Sequence, residues 1–200
     1  SPKLLIGTGA DATHLLVVVT SDRGLCGGFN GNLIRKSRQE ILRLQGEGKS
    51  VKIVTVGRKA RDVLKREFKD NIVKSFTGIG GGKTIAFAEV DEVNRFVLDL
   101  FDDGGFDVCS LLYNKFRSVL SQVPSVQQII PFQSDSAQGA NDNPAPAESG
   151  QSSPYDFEPE EEVILGQLLP RNIGVQMFRA LLDSAAGEQA AGQIILDEIN

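Results

Sequence analysis

His14 to Asn32 reads HLLVVVTSDRGLCGGFNGN. The run Leu15 to Thr20 is almost unbroken apolar and rich in valine, which suits a central strand covered on both faces rather than one with a wet side. Glycines at 24, 27 and 28 follow. Then Leu33, Ser37, Ile41 and Leu44 recur at helical spacing until Gly46 and Gly48 stop the segment. A buried strand, a glycine-rich turn and a helix make the first unit of an α/β fold, and they also resemble the way many proteins cradle a phosphate.

Outward from that unit the alternation continues. Val51, Ile53, Val54 and Val56 form a second short strand, and Gly57 leads into a basic helix with Val63, Leu64 and Phe68 facing inward. A third strand is expected over Ile72 to Phe76. A helix follows with Phe87, Val90, Val97 and Phe101 on one face, ended by Gly104 and Gly105. Val108 to Tyr113 and Val123 to Phe132 are β-rich runs joined by a short polar segment, and they are expected to pair as a hairpin at one side of the sheet. Residues 134 to 154 change to Ser, Gln, Asn, Asp, Ala and Pro, the composition of a flexible polar insert.

In the last third, Ile164, Leu168, Val175, Phe178, Leu182 and Ala185 keep helical spacing, and Leu168, Val175 and Leu182 repeat every seven residues, as in the seam of a coiled coil. A helix packed on its own sheet would also show an apolar stripe. Pro170 is expected to kink or break the helix under either reading. The sequence has no second long helix to pair with this one, which implies a missing partner segment.

Length and composition bound these readings. Two hundred residues with 40% apolar side chains and eleven Phe suffice for one well-buried core. The net charge of -5 gives no broad attraction to nucleic acid or anionic lipid, and no local basic patch stands out in the linear sequence to supply one. Cys26 and Cys109 have neither metal-ligand spacing nor the density of a secreted scaffold, so a reducing compartment is expected. No apolar run approaches the roughly 18 residues of a membrane span, and no leader pattern opens the chain.

Enzyme motifs fail at specific positions. A phosphate-wrapping loop needs a glycine five residues before Gly-Lys-Ser/Thr, but Gly82-Lys83-Thr84 has Thr77 there and Gly48-Lys49-Ser50 has Arg43. The dinucleotide fingerprint fails because Cys26 stands two residues after Gly24, and Gly27 and Gly28 are adjacent. Gly7-Thr8-Gly9 with Ala12 matches by letters only, since a strand follows. The sole histidine, His14, starts a strand. Ser21, Asp22 and Arg23 lie where ligands bind in open α/β sheets, without a catalytic constellation beside them. Glu158 and Glu160 to Glu162 suit the N-terminal dipole of the helix they precede. Cys26 reads as a buried or interface thiol more readily than as a reactive one. No catalytic, cofactor-binding or metal residue is assigned.

Longer stretches carry a resemblance. TSDRGLCGGFN at 20–30, YNKFRSVLSQVPSVQQIIPF at 113–132 and YDFEPEEEVILGQLLPRNIGVQMFRALLDSAAGEQAA at 155–191 together resemble the gamma subunit family of the rotary ATP synthase, over roughly residues 3 to 191. The polar insert resembles that of alphaproteobacterial members. Gly192 to Asn200, GQIILDEIN, departs from the family pattern.

The resemblance implies a Rossmann-like mixed sheet flanked by helices over 1–158, and at 159–200 the start of a C-terminal shaft helix that forms half of an antiparallel coiled coil. The other half would be an N-terminal helix preceding this chain. It implies a non-catalytic central-stalk rotor that transmits torque between a membrane c-ring and the catalytic alpha/beta ring, peripheral on the cytoplasmic face of a bacterial inner membrane. Partners would be the alpha, beta and epsilon subunits and the c-ring, with no nucleic acid and with membrane contact only through the complex. Asp22, Arg23, Gly24, Cys26, Gly27 and Gly28 would meet the beta lever loops. Tyr155 and Glu158 would meet the c-ring and epsilon at the foot, and Leu168, Val175, Phe178, Leu182 and Ala185 would form the seam. The rival reading is a stand-alone nucleotide- or phosphate-binding α/β enzyme. A regulatory module that docks without turning is a third.

Overall fold

The first strand, β1 (Thr13–Val19), lies in the middle of everything: Leu15 to Val19 are at most 1% exposed. A computed structural model describes residues 2–20, 27–79, 85, 87–118, 121–133 and 159–199, with side chains from Asn30 in the second helix and up to Ala185 in the last. The other elements are α1 (Lys3–Ile6), α2 (Gly27–Gly46), β2 (Ser50–Val56), α3 (Arg58–Phe68), β3 (Ile72–Phe76), α4 (Phe87–Asp102), β4 (Val108–Ser118), β5 (Ser121–Ile130) and α5 (Pro159–Ile199).

The five strands form one sheet in the order β3-β2-β1-β4-β5. β1 runs parallel to β2, from Thr13 opposite Ser50 to Val19 opposite Val56, and parallel to β4, from His14 opposite Val108 to Val18 opposite Leu112. β2 and β3 are also parallel, whereas β5 turns back antiparallel on β4. Because strand crossovers are right-handed, steps in one direction put their helices on one face and a step back puts its helix on the other. β1 to β2 and β2 to β3 step one way, so α2 and α3 share a face. There Leu33, Ile41, Ala60, Leu64 and Phe68 pack on Leu16, Val18, Val51 and Ile53. β3 to β4 returns across the sheet, and α4 lands on the opposite face, where Val90, Val93, Val97 and Phe101 meet Leu15, Val17, Val19 and Leu111. α5 joins α4 on that second face.

The expected elements are present, with four differences. Phe87 is 51% exposed, and Val93 and Asn94 take the inward places of α4 instead; the Phe87 ring lies edge-on against Phe178 of α5, with centroids 5.6 Å apart. Val63 is only partly buried, because Ala60, Leu64 and Phe68 define the inner face of α3. The polar residues expected between the hairpin strands belong to them: Asn114 pairs with Pro124, Lys115 with Val123 and Phe116 with Gln122. On an outer ladder both faces tolerate polar side chains. Finally, Pro170 does not break α5, which continues across it. Proline removes one helical hydrogen bond, but the carbonyl it releases is that of Gly166, which is exposed to water, while neighbouring Leu169 and Ile173 are buried and hold the turn in place.

At the carboxyl end of β1, Thr20 completes a junction between three segments. Its amide donates to the Val56 carbonyl at 2.8 Å, and its Oγ1 accepts the Ala60 amide at 2.9 Å. Ala60 is in the first turn of α3, and the residue preceding that helix, Gly57, has no side chain to cap it; the hydroxyl of a neighbouring strand does so instead. Gly57 has φ 104°, and a Cβ there would lie 2.2 Å from the Thr20 carbonyl oxygen. Glycine alone lets the two strand ends close together.

The amino-terminal segment is clipped to the other end of the sheet by Asp107. Its Oδ1 accepts the Thr8 hydroxyl at 2.8 Å and its Oδ2 accepts the Ala12 and Thr13 amides, each at 3.0 Å. The Thr8 hydroxyl and then the two amides hold this carboxyl below its ordinary range.

Gly57→Ala is expected to destabilise the chain by about 2–4 kcal/mol, through the positive φ and the clash with a backbone carbonyl. Thr20→Val should cost about 1 kcal/mol through the lost cap. Chemical denaturation of the two variants beside the parent checks that order. Because the Asp107 carboxyl titrates lower folded than unfolded, its contribution is complete above the unfolded value of 3.8 and drains away as pH falls below it through the folded one. Asp107→Asn should therefore cost about 1 kcal/mol near neutral pH and progressively less in acid, read from thermal melts across that range.

Candidate functional site

α5 presents apolar side chains on two sides of one helix. Leu169, Ile173, Met177, Ala180 and Leu181 are at most 6% exposed and pack toward β4 and α4. The other side carries Ile164, Leu168, Val175 and Leu182, which are 38–55% exposed. A helix that is apolar all round belongs in an interior. Here one half has its interior in the sheet, and among the described residues nothing covers the other.

The flank of the buried side is drawn by a polar chain. Tyr113 Oη donates to Gln127 Oε1 at 3.3 Å, Gln127 Nε2 donates to Gln176 Oε1 at 2.6 Å, and Gln176 Nε2 donates to Asn172 Oδ1 at 2.6 Å. These bonds run from β4 through β5 to α5. Two turns further along, Gln122 Nε2 donates to the Asp183 carbonyl at 3.3 Å. Burial raises the Asp183 carboxyl, and burial together with the nearby Asp183 charge raises the Tyr113 phenol. Gly174 keeps α4 close, since a Cβ at that position would lie 3.2 Å from Asn94 Nδ2. The rotational setting of α5 is thus fixed by packing on one side and hydrogen bonds at its border, and this holds the outer stripe away from the sheet.

Of the five seam residues named from the sequence, the structure aligns Leu168, Val175 and Leu182 on the exposed stripe. Phe178 is half-buried against Phe87, and Ala185 is half-buried. Asp22, Arg23, Gly24 and Cys26 lie outside the described residues, as do Tyr155 and Glu158. Gly27 and Gly28 are the first two residues of α2. Sequence reasoning missed the cap that Thr20 places on α3; the signal was Gly57, a helix start without a capping side chain.

Among the described residues no cluster of three or more His, Cys, Asp or Glu is placed to hold a metal, and no helix is long and apolar enough to cross a membrane. Cys109 is fully buried, and burial pushes its thiol far up. A cavity of about 260 Å³ between α2 and the β4–β5 ladder is lined by His14, Glu40, Arg43, Ser110 and Gln128. Arg43 there is held by Glu40 at 2.8 Å and Glu47 at 2.9 Å, so its charge is already matched.

Comparison with known proteins gives the arrangement a context. The family model described as ATP synthase matches residues 2–198. The ATP synthase gamma chain of Parvibaculum lavamentivorans is 48% identical over 204 residues, 98% of this chain and 65% of that protein. The gamma chain of Granulibacter bethesdensis is 46% identical over 202 residues with the same coverage. The chain therefore spans 65% of the length of these curated relatives. Among solved structures, a chain of the Tetrahymena thermophila mitochondrial ATP synthase central stalk and c-ring superposes with a TM-score of 0.68 at 24% identity, covering 96% of this chain and 78% of that one. A chain of the Euglena gracilis mitochondrial ATP synthase rotor gives 0.63 at 18% identity, covering 98% and 72%. At those identities the superpositions show a shared fold. With the family model matched from residue 2 to 198 and curated gamma chains at nearly half identity, the chain belongs to the ATP synthase family.

Proposed function

We propose that this chain is the globular part and shaft root of a non-catalytic rotor subunit, which carries torque in a central stalk between a membrane ring and a catalytic head that owns the nucleotides. The observation that carries the reading is the exposed apolar stripe of α5, set on a helix whose opposite side is locked to the sheet. A shaft needs both halves of that arrangement. The locked side transmits rotation of the helix to the domain, and the free side takes a companion helix that stiffens it. The relatives' additional length leaves room for such a helix outside these 200 residues. In this reading 1–158 is the globular domain and 159–200 the shaft root.

Torque becomes chemistry only where a shaft contacts its ring differently in different states, since equal contact with every catalytic site shifts none of them. The segment after Thr20, with Asp22, Arg23, Gly24, Cys26, Gly27 and Gly28, is the proposed contact with beta lever loops. It begins at the junction where Thr20 ties β1 to the start of α3, so force on it enters the sheet directly. Tyr155 and Glu158 are the proposed foot, toward the c-ring and epsilon, and the proposed setting is peripheral, at the cytoplasmic face of a bacterial inner membrane. No specific observation favours the nucleotide-binding alternative.

The full-length chain, with both long helices, should co-purify with alpha and beta subunits. Its exclusion from that ring, or saturable nucleotide binding by the chain alone, would overturn the assignment. A sharper test uses Leu182→Ala. In the full-length protein, where a companion covers it, the change should cost about 2–4 kcal/mol, and in the present 200 residues it should stay within about 0.5 kcal/mol. Equal effects in both would place no companion on the stripe.

A further inference from the structure

The apolar stripe on α5 has unlike borders. Toward β5 it gives way to Asn172, Gln176 and Asp183, the first two already held in the polar chain that runs to the hairpin. Toward α4 it stays apolar. With 3.6 residues to the turn, Leu182, Phe178 and Gly174 follow one another round the helix from Val175 on that side. Phe178 then meets Phe87 of α4, which remains 51% exposed although the two rings touch edge-on. The greasy surface therefore leans toward α4 rather than sitting squarely on α5.

An unsatisfied group lies at that border. Asn94 of α4 is 8% exposed, and its Oδ1 is out of water with no hydrogen-bond partner. Its amide rests where α5 has no side chain: a Cβ on Gly174 would come within 3.2 Å of Asn94 Nδ2 and 3.8 Å of Phe87 Cζ. Asn94, Phe87 and Gly174 thus meet at one point. A buried acceptor without a donor costs stability, and its apolar neighbours have none to give. Arg95, the adjacent donor on α4, points to water and pairs with Asp91 at 2.7 Å. The stripe itself leaves register open, because Leu168, Val175 and Leu182 repeat every seven residues and a slide by one heptad superposes them. One polar position among apolar ones removes that freedom, since a single alignment gives it a partner.

We infer that the companion helix seats in the groove between α5 and the first two turns of α4, with Phe87 as part of its bed, and that it carries one long hydrogen-bond donor, Lys, Arg or Gln, to Asn94 Oδ1. This rests on the rotor reading. It adds to that reading a third helix in the contact and a point that sets the axial register of the shaft.

The first test places a benzophenone amino acid at Phe87 of the full-length chain, and at Glu92, exposed on α4, as the control. Irradiation followed by mass spectrometry should give, from position 87 and not from 92, a link to a segment of the same chain outside these 200 residues. The second uses Asn94→Leu, which keeps the outline of the side chain without its polar atoms. In the present 200 residues the change should raise Tm by about 2–4 °C by removing the orphaned acceptor, and in the full-length chain it should lower Tm by a similar amount by orphaning the donor. A shift of the same sign in both chains would overturn the inference. So would a link from position 87 to a different protein, or no link from it while Leu182→Ala still distinguishes the two chains; either leaves the companion in place and removes it from the groove. Equal effects of Leu182→Ala in the two chains would instead remove the companion, and the rotor reading would fall together with its register point.

Discussion

One helix cannot satisfy two apolar faces with one sheet. Ile173 and Met177 are buried to within 1% of completeness, so the inner side of α5 has no freedom to rotate outward. The outer stripe of Leu168, Val175 and Leu182 is consequently held in water by the same packing that stabilises the domain. Each such side chain, 38–51% exposed, forgoes about 1 kcal/mol of further burial. A chain tolerates that exposure when the stripe is covered in its working state. Which way α5 turns each of its apolar sides follows from that conflict.

Much of this was legible along the chain because the signals were local. Leu15 to Val19 without a polar break requires cover on both faces, and β1 is the sheet's middle strand. Leu33, Ser37, Ile41 and Leu44 carry a helical period that survives intact as the inner face of α2. Pro170 does not break α5 because burial of Leu169 and Ile173 on either side outweighs its penalty, which periodicity alone does not price. Phe87 misled for another reason: its spacing places it near the inner face, but it starts the helix, where its ring meets Phe178 edge-on instead of entering the core. The seven-residue repeat in α5 identified the outer stripe, while the inner one, Leu169, Ile173, Met177 and Ala180, went unread because both sets are apolar and only the sheet distinguishes them.

The Arg38–Glu67 bridge and the Thr20 cap share a different reason for being missed. Both depend on which elements become neighbours. Arg38 and Glu67 are twenty-nine residues apart, and Thr20 and Ala60 forty. No window of sequence contains either pair, although the right-handed crossover rule, applied to the strand order, puts α2 and α3 on one face and so predicts the first.

The Thr20 junction also bears on how a domain of this kind handles load. Force applied to the segment after β1 meets, within one residue, a hydrogen bond to Val56, a cap on α3 and a carbonyl packed against Gly57. Three segments share it before any one of them bends. At the far side, α5 couples to β4 and β5 through buried side chains and the Gln176–Gln127–Tyr113 chain. β1 and β4 are adjacent parallel strands, so the two attachments are joined by a backbone ladder rather than by loops. Such a ladder resists shear far better than a flexible connection.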